Sequence, residues 1–171
     1  SVIVAGTTQV GDANSGSGTL LLTTPVGGTA PLLTTHSLLF TTNGTGIFTF
    51  VDGIVSIDGG TLSLPSSFLT LEGTDAVDNP TIRLLNGAMC AVGANGQVLV
   101  GGNHRGTLEV RSGSSFSISP TNTGFRIADL SGGTGTLIVS DVGSLVSHEP
   151  QTLFVGRQGS GLVQVLAGAH L

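Results

Sequence analysis

The stretch VGDANSGSGTL, Val10 to Leu20, returns in altered form as VGRQGSGLVQV, Val155 to Val165. Such a pair is either a shared ligand loop or two copies of one structural unit, and the residues between them decide. Apolar-x-apolar stretches anchored at Val10, Phe40, Leu71, Val100, Ile127 and Val155 are each followed by a loop, mostly rich in Gly, Asn or Asp, and then by a second such stretch. The anchors are spaced by 30, 31, 29, 27 and 28 residues, within the range at which solenoids repeat. The likeness is therefore read as structural.

The second stretch supplies two apolar columns. One is Leu20, Phe48, Ile82, Leu108, Leu137 and Val163, and the other is Leu22, Phe50, Leu84, Val110, Val139 and Val165. Between them stand Leu21, Thr49, Arg83, Glu109, Ile138 and Gln164, mostly polar, as alternate residues of a half-buried strand should be. A glycine follows at Gly27, Gly53, Gly87, Gly113, Gly143 and Gly168, where a turn with positive φ is expected. A third short segment, such as Phe116 to Ile118, closes each unit.

Three short strands per unit predict an all-β fold, a parallel β-solenoid of the three-sided β-helix kind, with about six coils of 27–31 residues across one domain, 1–171. Right-handed coiling is the expected chirality of parallel connections. Equivalent residues on stacked coils lie about 4.8 Å apart, so six coils give a rod roughly 30 Å tall. The chain stops at His170-Leu171 inside the sixth coil with no polar capping element. An uncapped C-terminal end is expected, and such an end exposes strand edges.

Composition narrows the function. The cations are five Arg with no Lys, against ten carboxylates, for a net charge of −5, so a duplex or an anionic membrane is repelled. There is no Trp or Tyr to stack bases or sugars, and no nucleic-acid partner is expected. No apolar run approaches the roughly 20 residues that span a bilayer as a helix. The single cysteine, Cys90, rules out an intramolecular disulfide or a multi-cysteine metal site. It follows Ala88-Met89 beside a glycine turn and reads as core packing.

The segments GTLEVRSGSSF (Gly106 to Phe116), GTGTLIVSDVGSLV (Gly133 to Val146) and VGRQGSGLVQVLAGAHL (Val155 to Leu171) resemble the glycine-rich β-strand repeats of bacterial autotransporter passengers and related large secreted β-helical surface proteins. The resemblance covers the last three units well and the first three more loosely. It implies a secreted or cell-surface β-helix cut from a larger precursor. It does not fix an activity, since passengers of this kind include adhesins, enzymes and plain stalks.

Candidate sites follow from the columns. Asp12, Asp75, Asp78 and Asp129 fall in loops between first and second strands, where a solenoid polysaccharide lyase or glycosidase would place acids for proton transfer or calcium. The unit at Phe40 and the unit at Val100 contribute none, so the acid column is broken. Asp75, Asp78 and Asp129 remain as candidates for binding at the loop edge. Gly101-Gly102 and Gly132 to Gly135 resemble anion nests, but no GxxxxGK[ST] pattern or following helix supports phosphate binding. His36, His104, His148 and His170 lack ligand spacing, and Asn43-Gly44-Thr45 is an isolated N-glycosylation pattern.

Arg83 and Glu109 share an outward column and are expected to form an exposed cross-strand pair, a contribution of about 0–1 kcal/mol. The outward positions of the first strand, Gln9, Leu39, Thr70, Leu99, Arg126 and Phe154, include three large apolar residues where water favours polar ones. Leu39, Leu99 and Phe154, with Leu21 and Ile138 from the neighbouring face, are the candidate assembly interface.

The function expected is that of a non-enzymatic extracellular or bacterial cell-surface structural protein. It assembles into a homo-oligomer or polymer through its ends and outer faces and needs no cofactor or metal. An adhesin-like or glycan-binding passenger fragment is the alternative, and a carbohydrate-active solenoid enzyme a third.

Overall fold

In the computed structural model, the structure describes residues 1–10, 19–22, 28–40, 47–64, 68–93, 97–119, 124–148 and 152–171. These form seventeen strands: β1 (Val2–Val10), β2 (Thr19–Leu22), β3 (Leu32–Phe40), β4 (Ile47–Phe50), β5 (Ile54–Asp58), β6 (Thr61–Ser63), β7 (Phe68–Leu71), β8 (Thr81–Leu85), β9 (Met89–Val92), β10 (Gln97–Val100), β11 (Arg105–Val110), β12 (Ser115–Ile118), β13 (Phe125–Ile127), β14 (Thr134–Ser140), β15 (Leu145–Ser147), β16 (Leu153–Val155) and β17 (Ser160–Leu166). No helix occurs among the described residues. The strands pair in parallel and build a β-solenoid of about five turns.

Short apolar-x-apolar runs become strands because each can bury one face against the rungs above and below. In the first ladder, β7, β10, β13 and β16 place Leu71, Val100, Ile127 and Val155 in one register column. In the second, β5, β8, β11, β14 and β17 stack Val55, Ile82, Leu108, Leu137 and Val163, with Ile57, Leu84, Val110, Val139 and Val165 beside them. A third ladder stacks Leu62, Cys90, Phe116 and Val146 from β6, β9, β12 and β15. All but the last-rung members of these columns are buried and belong to one apolar core.

Corners between the second and third ladders need the left-handed backbone region. Asn86-Gly87, Ser112-Gly113 and Ala167-Gly168 have φ between 54° and 80° at both positions, and a non-glycine residue there costs about 1–2 kcal/mol. After β14 one extra residue, Val142, separates Asp141 (φ 76°) from Gly143 (φ 83°). The turn therefore bulges and leaves Val142 exposed.

The other glycine column, Gly106, Gly135 and Gly161, lies in register at the start of β11, β14 and β17. A Cβ on Gly106 would run into the Leu71 carbonyl oxygen, and one on Gly135 into that of Val100. Here the constraint is close backbone approach rather than φ.

The first two units join differently from the sequence expectation. Val10 does pair with Phe40, Leu20 with Phe48, and Leu22 with Phe50. However, β1 and β3 are nine-residue strands of the large sheet, not members of the first ladder. Residues Leu32 to Thr35 of β3 pair with β5, and Leu38 and Leu39 with β6. The single strand β3 thus runs where β5, the Gly59 corner and β6 run in the next turn. It has no glycine at that corner; His36 and Ser37 stand there instead. The strand runs on unbroken through that position, and the second and third ladders merge into one eleven-stranded sheet. Strands β2 and β4 pair only with each other, in a separate two-stranded sheet.

Candidate functional site

Charge in this chain is organised between rungs. Glu109, only 8% exposed, receives Arg83 Nε at 2.8 Å and Arg83 Nη2 at 3.2 Å, and Arg111 Nε lies 2.9 Å from the same carboxylate. The pair expected from the sequence is therefore present, but its acid is buried rather than solvated. The strand register seats Arg83 directly below Glu109, while Arg111 lies two residues on, just past the end of β11.

Asp129, 2% exposed, is held in the same manner. Arg126 Nη1 donates to it at 3.0 Å, Arg157 Nη2 donates at 2.9 Å, and Arg157 Nε lies 2.7 Å from its other oxygen. The Arg157 guanidinium also sits 5.6 Å above the Phe154 ring, a favourable cation–π placement. Asp129 falls at the β13–β14 corner, just after Ala128, whose φ is 55°.

Other carboxylates bridge turns through uncharged partners. Glu72 accepts the Asn103 N–H at 2.7 Å, Asp52 the Asn79 N–H at 3.0 Å, Asp141 the Ser112 N–H at 3.0 Å, and Asp58 the Asn86 side-chain amide at 2.7 Å. Including Glu109 and Asp129, the sequence separations of these contacts run from 26 to 31 residues, one repeat in every case.

Asp75 and Asp78 share the loop between β7 and β8. Asp75 Oδ1 accepts the N–H groups of Val77 and Asp78, and Asp78 Oδ2 accepts the Thr74 N–H and hydroxyl. The backbone N–H groups of Asp78 and Val77 hold the Asp75 carboxyl below its ordinary 3.8. The loop is braced by its own acids. Asp129 stands two rungs further along, in its arginine cluster. Asp12, Asn43, Gly27 and Glu149 lie outside the described residues.

The candidate interface residues are distributed over several sheets. Leu99 and Phe154 share one outward column with Thr70 and Arg126, and Arg126 stands between them. Leu39 pairs with Ser63 instead of Thr70 and so leaves that column. Ile138 stacks on Glu109 in the second ladder. Leu21, 57% exposed, belongs to the two-stranded sheet. The sequence columns had missed Arg111 and Arg157, because partners two residues along the chain, or across a corner, leave no periodic signal.

Cys90 is fully buried, and desolvation pushes its thiol from 9.0 up to about 12. His36 Nδ1 lies 2.7 Å from the Asp58 carbonyl oxygen. The His148 ring meets Phe125 edge-on at 6.4 Å. Among the described residues no three His, Cys, Asp or Glu side chains are placed to hold one metal ion, and no helix is long and apolar enough to cross a membrane.

These features define a parallel β-solenoid whose acids tie one turn to the next. Comparison with family models, with curated proteins and with solved structures finds no match to this chain.

Proposed function

We propose that this protein is a non-enzymatic structural solenoid of the extracellular space or bacterial cell surface, right-handed and three-sided, which assembles by laying rung upon rung. The observation that carries the reading is the continuity of the ladders: β7, β10, β13 and β16, and β5, β8, β11, β14 and β17, hold one parallel register from rung to rung, and carboxylates tie each turn to the next. A rung of matching register from another copy would extend the same main-chain pairing.

The carboxylate placement supports a non-catalytic role. An acid or base must reach a substrate proton, whereas both Asp129 oxygens are held by arginine and six of the ten carboxylates bridge turns. Lateral contacts would use the outward apolar side chains Leu99, Phe154, Ile138, Leu39 and Leu21.

Light scattering over a concentration series tests this reading. Association that rises with concentration and falls in Val165→Asp, with smaller losses in Leu99→Asp and Phe154→Asp, supports it. A monomer at every concentration, with the variants unchanged, sinks it.

A second reading, glycan or cell-surface binding, draws on the loop of Asp75 and Asp78. That loop is self-braced and carries Val77, 78% exposed, at its tip, as a preorganised contact would. Glycan-array binding lost in Asp75→Ala would favour it.

A further inference from the structure

Four of the five arginines stand in two clusters of identical make-up, two guanidiniums around one buried carboxylate. Each cluster keeps one positive charge uncompensated in a chain of net charge −5. The two are not equally closed. At Asp129, Arg126 and Arg157 each donate one aligned hydrogen bond to Oδ2 and Arg157 stacks on Phe154, while Arg157 Nε stands 2.7 Å from Oδ1 without hydrogen-bond alignment and Arg126 Nε is buried and unpartnered. At Glu109, Arg83 takes the two-point geometry, and Arg111 is left with a single approach, Nε at 2.9 Å, that is not aligned as a hydrogen bond.

Among the described residues, Arg111 is thus the one guanidinium of the four that makes no aligned hydrogen bond to its carboxylate. A guanidinium presents five N–H donors in a fixed fork suited to planar oxyanions. The surface in front of it is a depression of about 360 Å³ lined by Arg83, Leu85, Glu109 and Arg111. On neighbouring turns, Asp58 accepts from the Asn86 amide and Asp141 from the Ser112 N–H rather than from Arg111.

We propose that Arg111, with Arg83 beside it, forms an oxyanion-binding site on the outer face of the second ladder, taking a sulfate or carboxylate group. Glu109 orients both guanidiniums, and the ligand supplies the second negative charge that the cluster lacks. The group is either a free small anion or one carried on an acidic polysaccharide. The site goes beyond the assembly reading and needs no contact between copies.

Arginine Nε–H resonances of the full chain, of which there are only five, are followed during titration with sodium sulfate at constant ionic strength in chloride. The protein is held at a concentration where scattering shows no association. Saturable shifts at Arg111 and Arg83, with Arg105 and Arg157 unmoved, are expected. Arg111→Gln should abolish the Arg83 shift and weaken binding roughly five-fold or more, while Arg105→Gln, at an exposed residue outside both clusters, changes nothing. Melting curves confirm that Arg111→Gln is folded, and Arg111→Lys, which keeps the charge but loses the fork, should recover only part of the affinity.

Dextran sulfate against neutral dextran separates the sources. Tighter binding of the sulfated polymer than of sulfate points to a polysaccharide, and equal affinity per sulfate group to a free anion. Shifts no larger than chloride produces, or equal losses in Arg105→Gln and Arg111→Gln, overturn the proposal.

Discussion

Arg83 and Glu109 occupy equivalent positions on adjacent turns and meet at two points, 2.8 and 3.2 Å. Because the strands stack in parallel, a pair of this kind is a direct report of register: a slip of one residue would turn one partner into the core. Glu109→Gln leaves two guanidiniums facing a neutral amide, and the arginines are about one-third exposed. A loss of about 1–3 kcal/mol is expected. Chemical denaturation, with Arg83→Met as the second arm of a double-mutant cycle, measures the coupling.

Gly135 and Gly87 should fail for different reasons. In Gly135→Ala the new methyl meets the Val100 carbonyl in the middle of the stack, and a loss above about 3 kcal/mol is expected. Gly87→Ala has open space around it but must keep φ at 80°, which costs about 1–2 kcal/mol. Thermal melts of the two variants side by side test the order.

Cys90 makes stability fall with alkali. Its folded thiol ionises near 12 against an ordinary 9.0, so the unfolded chain releases its proton first and is favoured as pH rises. The contribution is whole below 9.0 and is lost between 9.0 and about 12, at about 1.4 kcal/mol per pH unit. Cys90→Ala should show a shallower decline over that window, seen in denaturant midpoints at each pH.

Asp75 acts in the opposite direction. Backbone N–H groups favour its charged form and set its folded value below 3.8. Its contribution to loop order is present above the ordinary value and lost as pH falls through the folded one. Carbon-13 titration should place the Asp75 midpoint below that of an unstructured aspartate. Asp75→Ala should increase amide exchange at Val77 and Asp78 with little change in global melting, since the loop lies outside the core.

Much of this was legible in the sequence. The column Leu71, Val100, Ile127, Val155 and the column Ile82, Leu108, Leu137, Val163 reappear as hydrogen-bonded registers, because their apolar residues recur once per turn and a glycine follows each strand of the second column, at Gly87, Gly113, Gly143 and Gly168. The join at Phe40 was not legible. An apolar-x-apolar run has the same pattern in any ladder, and only the absence of a glycine near His36 marks β3 as one strand crossing two ladders. Burial of Glu109 escaped for another reason. Alternation assigns it an outward direction, but not the two arginines that cover it.

In the proposed assembly, rungs continue from one molecule to the next along the rod. Fibre diffraction from aligned assemblies of the purified chain tests it most directly, because stacked rungs repeat every 4.7–4.9 Å, roughly, along the rod. That spacing is expected on the meridian, parallel to the filament axis, and should be lost in Val165→Asp. The same spacing on the equator, or no ordered assembly at any concentration, would contradict it.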